Sequence, residues 1–332
     1  MKRSNVSVFV PHMGCPFRCS FCDQNSITGQ QSAPTPDDVA RACETAVSSG
    51  CSPESEVAFF GGSFTAVDRE YARRLLLAAR PFVEAGHFAG IRISTRPDFI
   101  DREILSFLKE NRVTAIELGA QSMDDSVLLK NRRGHTAESV REASRLILEY
   151  GFELGLQMMT GLYGDTDEGA EYTAGQLAAL SPKTVRIYPA VVLKNTYLGD
   201  LYASGKYSPQ TVDEAVRLCS RLLGFFEEKG IRVIRLGLHA SPDVERDMLA
   251  GPYHPSFKEL CESAVFFEKL SSELCGLGRG EYIISVNPRD LSKAAGNRRS
   301  NIIKLDSLGY GCTLEPCDGI GRNDFTIRRR DV

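Results

Sequence analysis

The sequence of 332 residues lacks any long run of apolar residues. No window approaches the roughly 18 uncharged apolar residues that a membrane-spanning helix needs, so we expect no membrane partner. The first residues offer only a short apolar run, interrupted by Pro11 and His12, and lack the small-residue cleavage site of a secretory signal. We therefore expect a cytoplasmic protein.

The sequence also lacks a strong excess of positive or negative charge. The chain has 40 Lys and Arg residues against 43 Asp and Glu residues, a formal net charge of −3, so the overall charge does not call for a nucleic-acid partner. No low-complexity linker divides the sequence, and no repeat is visible beyond a strand–helix unit. Hydrophobic residues at 42% and charged residues at 25% are ordinary for a globular protein of one large domain or two modest ones.

Short apolar runs alternate with longer amphipathic segments over the first two thirds of the chain. The runs are short and often β-branched or aromatic, as buried parallel strands are. The predicted strands are Val6–Val10, Glu56–Phe60, Ile91–Thr95, Thr114–Leu118, Phe152–Met158 and Val185–Tyr188. The predicted helices between them are Pro36–Ser49, Asp68–Ala85, Asp101–Asn111, Thr136–Tyr150 and Glu168–Leu180.

Six strand–helix alternations at a spacing of roughly 30 residues predict an α/β fold with parallel strands joined by right-handed crossovers. Composition does not decide whether the sheet is open and doubly wound or curled towards a barrel. In both architectures, ligands bind at the carboxyl ends of the strands. The polar and glycine-containing motifs of this sequence follow the predicted strands directly.

The pattern changes after Ser208. We predict a domain of residues 1–240 followed by a small α+β extension of residues 241–332. Around and beyond this boundary the predicted elements are a helix Gln210–Lys229, a strand Ile231–Leu238, a helix Ser256–Cys275 and short strands near Tyr282–Val286 and Asn301–Leu305.

Three of the ten cysteines are clustered, namely Cys15, Cys19 and Cys22. In a chain without an export signal, clustered cysteines indicate metal ligands more often than disulfides. Three thiolates can hold three corners of a four-iron cluster and leave one iron open for an exogenous ligand. A zinc site with His12 as fourth ligand and a chance grouping of core cysteines are the alternatives, although no second C-x-x-C pair supplies the usual zinc spacing.

The C-x3-C-x2-C loop, with Phe21 before its last cysteine, resembles the signature of the radical S-adenosylmethionine (SAM) superfamily. Residues 5 to about 240 resemble the branch that contains oxygen-independent coproporphyrinogen oxidases and the Elongator catalytic subunit. This resemblance implies a partial (βα)6 barrel, open on one side to admit a substrate. It also implies a 4Fe-4S cluster on the three cysteines, S-adenosyl-L-methionine as cosubstrate, and a one-electron donor such as flavodoxin or ferredoxin. Reductive cleavage of the cosubstrate would then produce a radical that takes a hydrogen atom from a substrate.

The segment from Phe59 to Thr65 resembles the glycine motif of this superfamily. By that resemblance, Gly61, Gly62 and Ser63 contact the amino group of S-adenosylmethionine. Glycines allow a ligand to approach the backbone closely. The alternative interpretation is a turn that merely ends the second strand.

Arg133 is the residue that we expect to bind the carboxylate of the cosubstrate, with Arg132 as its competitor. A guanidinium suits a carboxylate because it donates two parallel hydrogen bonds. We place both arginines on the helix that follows the fourth strand. The alternative is that they form a solvent-facing basic pair on that helix.

By the same resemblance, further side chains at strand ends face the cosubstrate, together with Phe21: Ser94, Arg96, Gln121, Gln157 and Tyr188. Two of them depart from the pattern of the oxidases, which carry a glutamate at the position of Ser94 and an aspartate at that of Gln157. Since the cofactor carries the chemistry, no acid–base pair is predicted.

The substrate is the least determined part of the prediction. The Elongator resemblance suggests a tRNA base, although Elongator subunits space their first two cluster cysteines further apart and carry an acetyltransferase domain. The roughly 90 residues after position 240 are too few for that domain. A basic run there could contact phosphates or form a solvated face: Arg289, Lys293, Arg298, Arg299, Lys304 and Arg328 to Arg330. A small molecule such as a modified base or tetrapyrrole, and a non-catalytic metal-binding protein, are the alternatives.

Overall fold

The architecture is a parallel sheet that curls into a half-barrel with helices on its outer side. The structure is a computed structural model that describes residues 5–10, 15, 18–23, 32–239 and 242–330. In chain order the strands are β1 Val6–Val10, β2 Glu56–Gly61, β3 Gly90–Thr95, β4 Val113–Gln121, β5 Glu153–Thr160, β6 Thr184–Pro189, β7 Val192–Leu193, β8 Arg232–Leu236, β9 Met248–Ala250, β10 Gly280–Val286, β11 Tyr310–Pro316 and β12 Phe325–Arg329. Seven of them form the main sheet, in the order β1-β2-β3-β4-β5-β6-β8, and every neighbouring pair is parallel.

Twelve helices accompany the strands in the described ranges. Most of the crossover helices begin at a Thr or Asp whose side chain accepts a hydrogen bond from the backbone of the first turn, which satisfies an otherwise unpaired N–H group. The helices are α1 Pro36–Ser48, α2 Arg69–Glu84, α3 Arg102–Glu110, α4 Asp125–Lys130, α5 Ala137–Glu149, α6 Asp167–Ala179, α7 Tyr197–Ala203, α8 Val212–Glu228, α9 Pro242–Asp247, α10 Phe257–Leu277, α11 Leu291–Ala295 and α12 Ser300–Ser307.

The α/β half-barrel that the sequence predicts is confirmed, and the predicted strands and crossover helices lie within a few residues of the observed ones. The strand predicted at Ile231–Leu238 joins the sheet as its seventh member, next to β6. Short α4 was not predicted, because its six residues are too few for a clear helical period.

One element of the extension was predicted wrongly. The segment from Asn301 to Leu305 is not a strand but part of helix α12. These two residues lie four positions apart, on one face of the helix, and both are buried. The Asn301 amide donates to the backbone oxygen of Ser263 on α10 at 2.9 Å, which fixes that face against its neighbour.

Two hydrophobic clusters are joined by one helix. The larger lies between the outer face of the sheet and its helices, and it includes Phe257 and Cys261 of α10. The smaller lies between α10 and the sheet β11-β10-β12, and it includes Leu270 and Leu274 of the same helix. The division into residues 1–240 and 241–332 stays a prediction. None of the helices in the described ranges combines the length and apolar character that crossing a bilayer requires.

Candidate active site

The three cysteines of the motif lie just beyond the carboxyl end of β1, and all three are partly exposed. The backbone N–H of Cys22 donates to the carbonyl of Cys19 at 3.2 Å, so the second half of the loop forms a tight turn. His12, the possible fourth ligand of a zinc site, lies outside the described residues.

Asn131 holds this loop against its neighbours. The backbone N–H of Ser20 donates to the Asn131 carbonyl at 3.0 Å, and the Ser20 hydroxyl donates to Asn131 Oδ1 at 2.7 Å. The Asn131 amide in turn donates to the carbonyl of Tyr163, after β5, at 2.9 Å. Both Ser20 and Asn131 are fully buried. Sequence reasoning missed this pair, because neither residue belongs to a recognisable motif.

The glycine motif after β2 packs directly against the end of β1. Gly61 has a φ of +112°, and a Cβ there would lie 2.7 Å from the carbonyl oxygen of Val10, so only glycine fits without displacing β1. The N–H of Gly62 donates to that same oxygen at 2.9 Å. Burial raises the pKa of the Cys15 thiol, and a hydrogen bond from the Ser63 backbone partly opposes this. The motif therefore contacts the cysteine loop itself.

Two arginines surround Cys19. Arg133 donates from Nη1 to the Cys19 sulfur at 3.0 Å, and Arg96 Nη1 lies 4.0 Å from the same sulfur. Arg96 also forms an ion pair with Asp98 at 2.9 Å and donates to the Arg133 carbonyl. Arg96 and Arg133 therefore bring two guanidinium groups to the sulfur of the middle cysteine of the motif.

The sequence prediction that Arg133 lies on a helix is wrong. α4 ends at Lys130, and Arg133 follows it in a loop with its side chain buried, while its neighbour Arg132 is exposed and stacks on the ring of Tyr197. Arg132 has a left-handed φ of +55°, which turns the chain there. Arg133 is therefore not part of a solvent-facing basic pair.

Gln121 lies at the carboxyl end of β4 in a strained conformation. Its φ is +67°, and the pairing of β4 with β5 shifts register between Gly119 and Gln121. A non-glycine residue adopts this conformation rarely and at an energetic cost, which is found most often at functional sites. Gln121 Oε1 and Arg133 Nε are both buried, and neither has a hydrogen-bond partner among the described residues.

The inner face of the half-barrel carries a network of charged side chains that sequence reasoning also missed. Arg92 donates to Glu56 at 2.8 Å and to Glu153 at 2.5 Å, and Arg186 binds Glu117 through two hydrogen bonds of 2.7 and 2.9 Å. Arg92 also lies 3.6 Å from Glu117, which joins the two groups. A signal was available: each of the strands β2 to β6 has a charged residue within an otherwise largely apolar run.

Ser94 and Gln157 take part in this network. The Gln157 amide donates to Glu117 at 2.9 Å and to the Ser94 hydroxyl at 3.3 Å, and that hydroxyl lies 3.5 Å from Glu117. The two positions that depart from the oxidase pattern are thus adjacent in space. Both face the inside of the barrel, next to the buried carboxylate of Glu117.

An aromatic wall closes the other side of the site. Phe21 and Tyr188 pack, together with Tyr163 and Tyr207, against a buried cluster that includes Met159 at the end of β5. Phe21 of the cysteine loop thus packs against this apolar cluster, while Cys19 of the same loop contacts Arg96 and Arg133.

The donor set at this site suits an iron–sulfur cluster. Three thiols lie on one loop, two arginines flank Cys19, and the amide of Ser63 points at Cys15. In the described part of the chain, no three Cys, His, Asp or Glu side chains converge around a point that one metal ion could occupy. A four-iron cube binds its cysteines at separate corners, so it does not require such convergence.

Comparison with known proteins identifies the family to which this chain is similar. The model of the radical SAM superfamily matches residues 9–177, and the model of the radical SAM C-terminal domain matches residues 182–265. Human Elongator complex protein 3 is 32% identical over 139 residues, which cover 40% of this chain and 25% of that protein. The tRNA uridine(34) acetyltransferase of Methanocaldococcus jannaschii is 26% identical over 185 residues, covering 50% of this chain and 34% of that protein.

Solved structures give the same fold. The archaeal Elp3 of Methanocaldococcus infernus superposes with a TM-score of 0.62 at 21% identity, over 82% of this chain and 64% of that one. The chain thus matches a quarter to a third of the two curated relatives and about two thirds of the solved one. The resemblance to the Elongator branch is confirmed, and the chain is a radical SAM enzyme, a member of the radical SAM superfamily.

Proposed function

We propose that this enzyme binds a 4Fe-4S cluster through Cys15, Cys19 and Cys22, cleaves S-adenosylmethionine reductively, and modifies a tRNA base. The cluster, when bound and reduced, would supply the electron that breaks the sulfonium bond. The protein contributes the binding and orientation of the cosubstrate and the exclusion of water from it.

The observation that carries this proposal is a complementary pair of unpaired groups beside Cys19. Arg133 Nε is a buried donor and Gln121 Oε1 a buried acceptor, and neither has a partner in the described residues. Buried polar groups are rarely left unpaired, so a ligand is the natural partner for both. A carboxylate would accept from Arg133 and an ammonium group would donate to Gln121, and the methionine part of S-adenosylmethionine has both groups.

The other predicted contacts fit around this pair. Gly61, Gly62 and Ser63 form the floor next to Cys15, and Arg96 lies beside Cys19. Phe21 and Tyr188 offer an apolar surface for the adenosyl part. Ser94 and Gln157 lie deeper, where they bind Glu117, so we assign them to the inner wall of the cavity.

Reconstitution tests the chemistry. Anaerobic protein supplied with iron and sulfide should bind iron, and with dithionite and S-adenosylmethionine it should release 5′-deoxyadenosine and methionine. The variant Cys19→Ala should lose this activity, whereas Cys275→Ala, which removes an exposed cysteine far from the motif, should keep it. Zinc in place of iron, or an iron-loaded protein that never releases 5′-deoxyadenosine, would overturn the proposal.

The tRNA substrate is supported by the relatives, one of which is described as a tRNA uridine(34) acetyltransferase. Some side chains in the basic run of the extension are already paired with carboxylates, and others are exposed. Lys293 pairs with Glu262 at 3.1 Å and Arg328 with Glu315 at 3.3 Å, whereas Arg298 and Arg299 are exposed with left-handed backbones. These last two project from a sharp turn and are the better candidates for phosphate contacts.

Binding of tRNA at several salt concentrations tests this part. Affinity should fall steeply with salt, and replacing Arg298 and Arg299 together by Gln should lower the slope. If wild-type protein cleaves S-adenosylmethionine but binds no tRNA, a small-molecule substrate becomes the better interpretation.

A further inference from the structure

Arg235 differs from the other arginines on the inner face of the half-barrel. Arg92 and Arg186 each contact at least one glutamate there. Arg235 lies on the edge strand β8, directly opposite Arg186 in the register of the sheet. Because opposite residues of paired strands face the same side, Arg235 also points into the barrel.

The hydrogen bonds of Arg235 leave part of its guanidinium unused. Its Nε donates to the carbonyl of Gly237 at 3.1 Å, and its Nη2 lies 3.1 Å from His239 Nδ1. Within the described residues no carboxylate pairs with it, and its opposite neighbour in the sheet carries a like charge. The Nη1 group therefore has no acceptor from the described chain.

The guanidinium of Arg235 is partly buried. Burial lowers the pKa of Arg235 from its ordinary value, with Tyr188 opposing that change and Arg186 adding to it. A partly buried guanidinium is screened less by water than one on the surface, so it attracts an anion more strongly. An anion next to Nη1 would form a charge-assisted hydrogen bond with it.

Resting on the proposed function, we propose that Arg235 binds an anionic group of the substrate, a phosphate or a carboxylate. The location fits a substrate better than the cosubstrate. β8 is the edge strand of the half-barrel, on the opposite side of the sheet from the cysteine loop after β1. A substrate larger than the cosubstrate would place a phosphate against Arg235 at this edge strand while its reactive part reaches the site.

A purely structural role is the alternative. In that case Arg235 serves only to hold the turn at Gly237, which has a φ of +83° and packs against Phe257. The variant Arg235→Lys keeps a donor and a positive charge near this turn but loses the planar fork. The variant Arg235→Gln removes the charge. Arg232, exposed on the same strand, provides a matched control as Arg232→Gln.

The test compares these three variants with wild type in two binding assays. The first measures fluorescence anisotropy of a labelled anticodon stem-loop RNA at several salt concentrations. The second measures the rise in melting temperature caused by inorganic phosphate, against chloride at equal ionic strength. We expect Arg235→Gln to weaken RNA binding by about tenfold or more and to lower the salt slope by about one, with Arg235→Lys intermediate. Arg232→Gln should behave as wild type.

The outcomes distinguish the sources of the anion. Loss of RNA binding in Arg235→Gln but not in the control supports a nucleic-acid phosphate. Unchanged RNA binding together with a phosphate effect that needs Arg235 supports a small anionic substrate. If both assays are independent of Arg235, the proposal is overturned. Should Arg235→Gln fail to fold, Arg235→Lys is compared with Arg232→Gln in the same assays, with a smaller loss of RNA binding expected from loss of the planar fork. Release of 5′-deoxyadenosine by wild type is measured separately, so failure of the proposed function would be seen on its own.

Discussion

Arg133 donates a hydrogen bond of 3.0 Å to the sulfur of Cys19, although the two residues lie 114 positions apart in the sequence. The same guanidinium donates to the carbonyl of Gly119 at 2.5 Å and keeps a buried Nε with no acceptor among the described residues. The side chain of Arg133 therefore contacts both the proposed cluster ligand and the end of β4, and it keeps one buried donor unused.

Replacement of Arg133 should weaken the binding of S-adenosylmethionine. Arg133→Gln removes a charged donor from a buried site, so we expect the dissociation constant to rise by about tenfold to a hundredfold. Arg133→Lys should be intermediate, because an ammonium keeps the charge but lacks the planar fork that reaches Cys19, Gly119 and a ligand at once. Isothermal titration of iron-loaded protein measures this. Arg132→Gln, next in the chain but exposed, is the control, and equal affinities of Arg133→Gln and wild type at equal iron content would contradict the assignment.

Asn131 should determine how firmly the cysteine loop holds its cluster. Asn131→Ala removes the acceptor of the Ser20 hydroxyl and the donor to Tyr163, which leaves buried groups unpaired. We expect faster loss of iron to a chelator, followed by the decrease in visible absorbance. Asn111→Ala is a matched control, since the side chain of this buried asparagine donates to the carbonyl of Phe107 on α3 and not to the cysteine loop. Equal rates of iron loss in the two variants would show that the Ser20 contact is not needed.

A single substitution in the charged network inside the barrel should lower the stability of the folded protein. Glu117→Gln removes the negative charge between Arg92 and Arg186, and breaking a buried ion pair in this way costs about 3–5 kcal/mol. Urea unfolding followed by circular dichroism should show that loss. Glu103→Gln breaks an exposed pair with Arg69 and should cost less than about 1 kcal/mol. Similar losses in both variants would mean that the inner network contributes no more than a surface pair.

Asp165 should make stability depend on pH. Burial raises its pKa from 3.8 to about 6, and its Oδ2 has no donor among the described residues. Between these values the folded state holds a proton that the unfolded state has lost, so this group lowers stability as pH rises through that range. Asp165→Asn should therefore be more stable than wild type at pH 8, by about 1–3 kcal/mol, and the difference should shrink towards pH 4. A difference that does not change between pH 4 and pH 8 would argue against this assignment.

The parts of the fold and site that could be predicted from the sequence are those with local signals. The strand Val6–Val10 is indicated by an apolar run, and the cysteine loop that follows it is indicated by three closely spaced cysteines. The capping box at Thr136 and Ser139 is likewise a local pattern, and the structure contains it. Such features depend on neighbours within a few positions, which the sequence shows directly.

The parts that could not be predicted depend on contacts between distant positions. The register shift that gives Gln121 its left-handed backbone arises from pairing with β5. The role of Glu117 depends on arginines from two other strands, and that of Asn131 on a serine 111 positions earlier. Asn301 has no pattern that favours a helix over a strand, and its conformation is fixed by bonds to α10.

Helix α10 contributes its first turns to one hydrophobic cluster and its later turns to the other. A displacement of either half of α10 would disturb both clusters, because a continuous helix transmits displacement along its axis. Heating or denaturant should therefore melt barrel and extension in a single cooperative step. A macromolecule bound to the three-stranded sheet of the extension would, through this helix and its contact with the turn after β8, also restrict the motion of that turn.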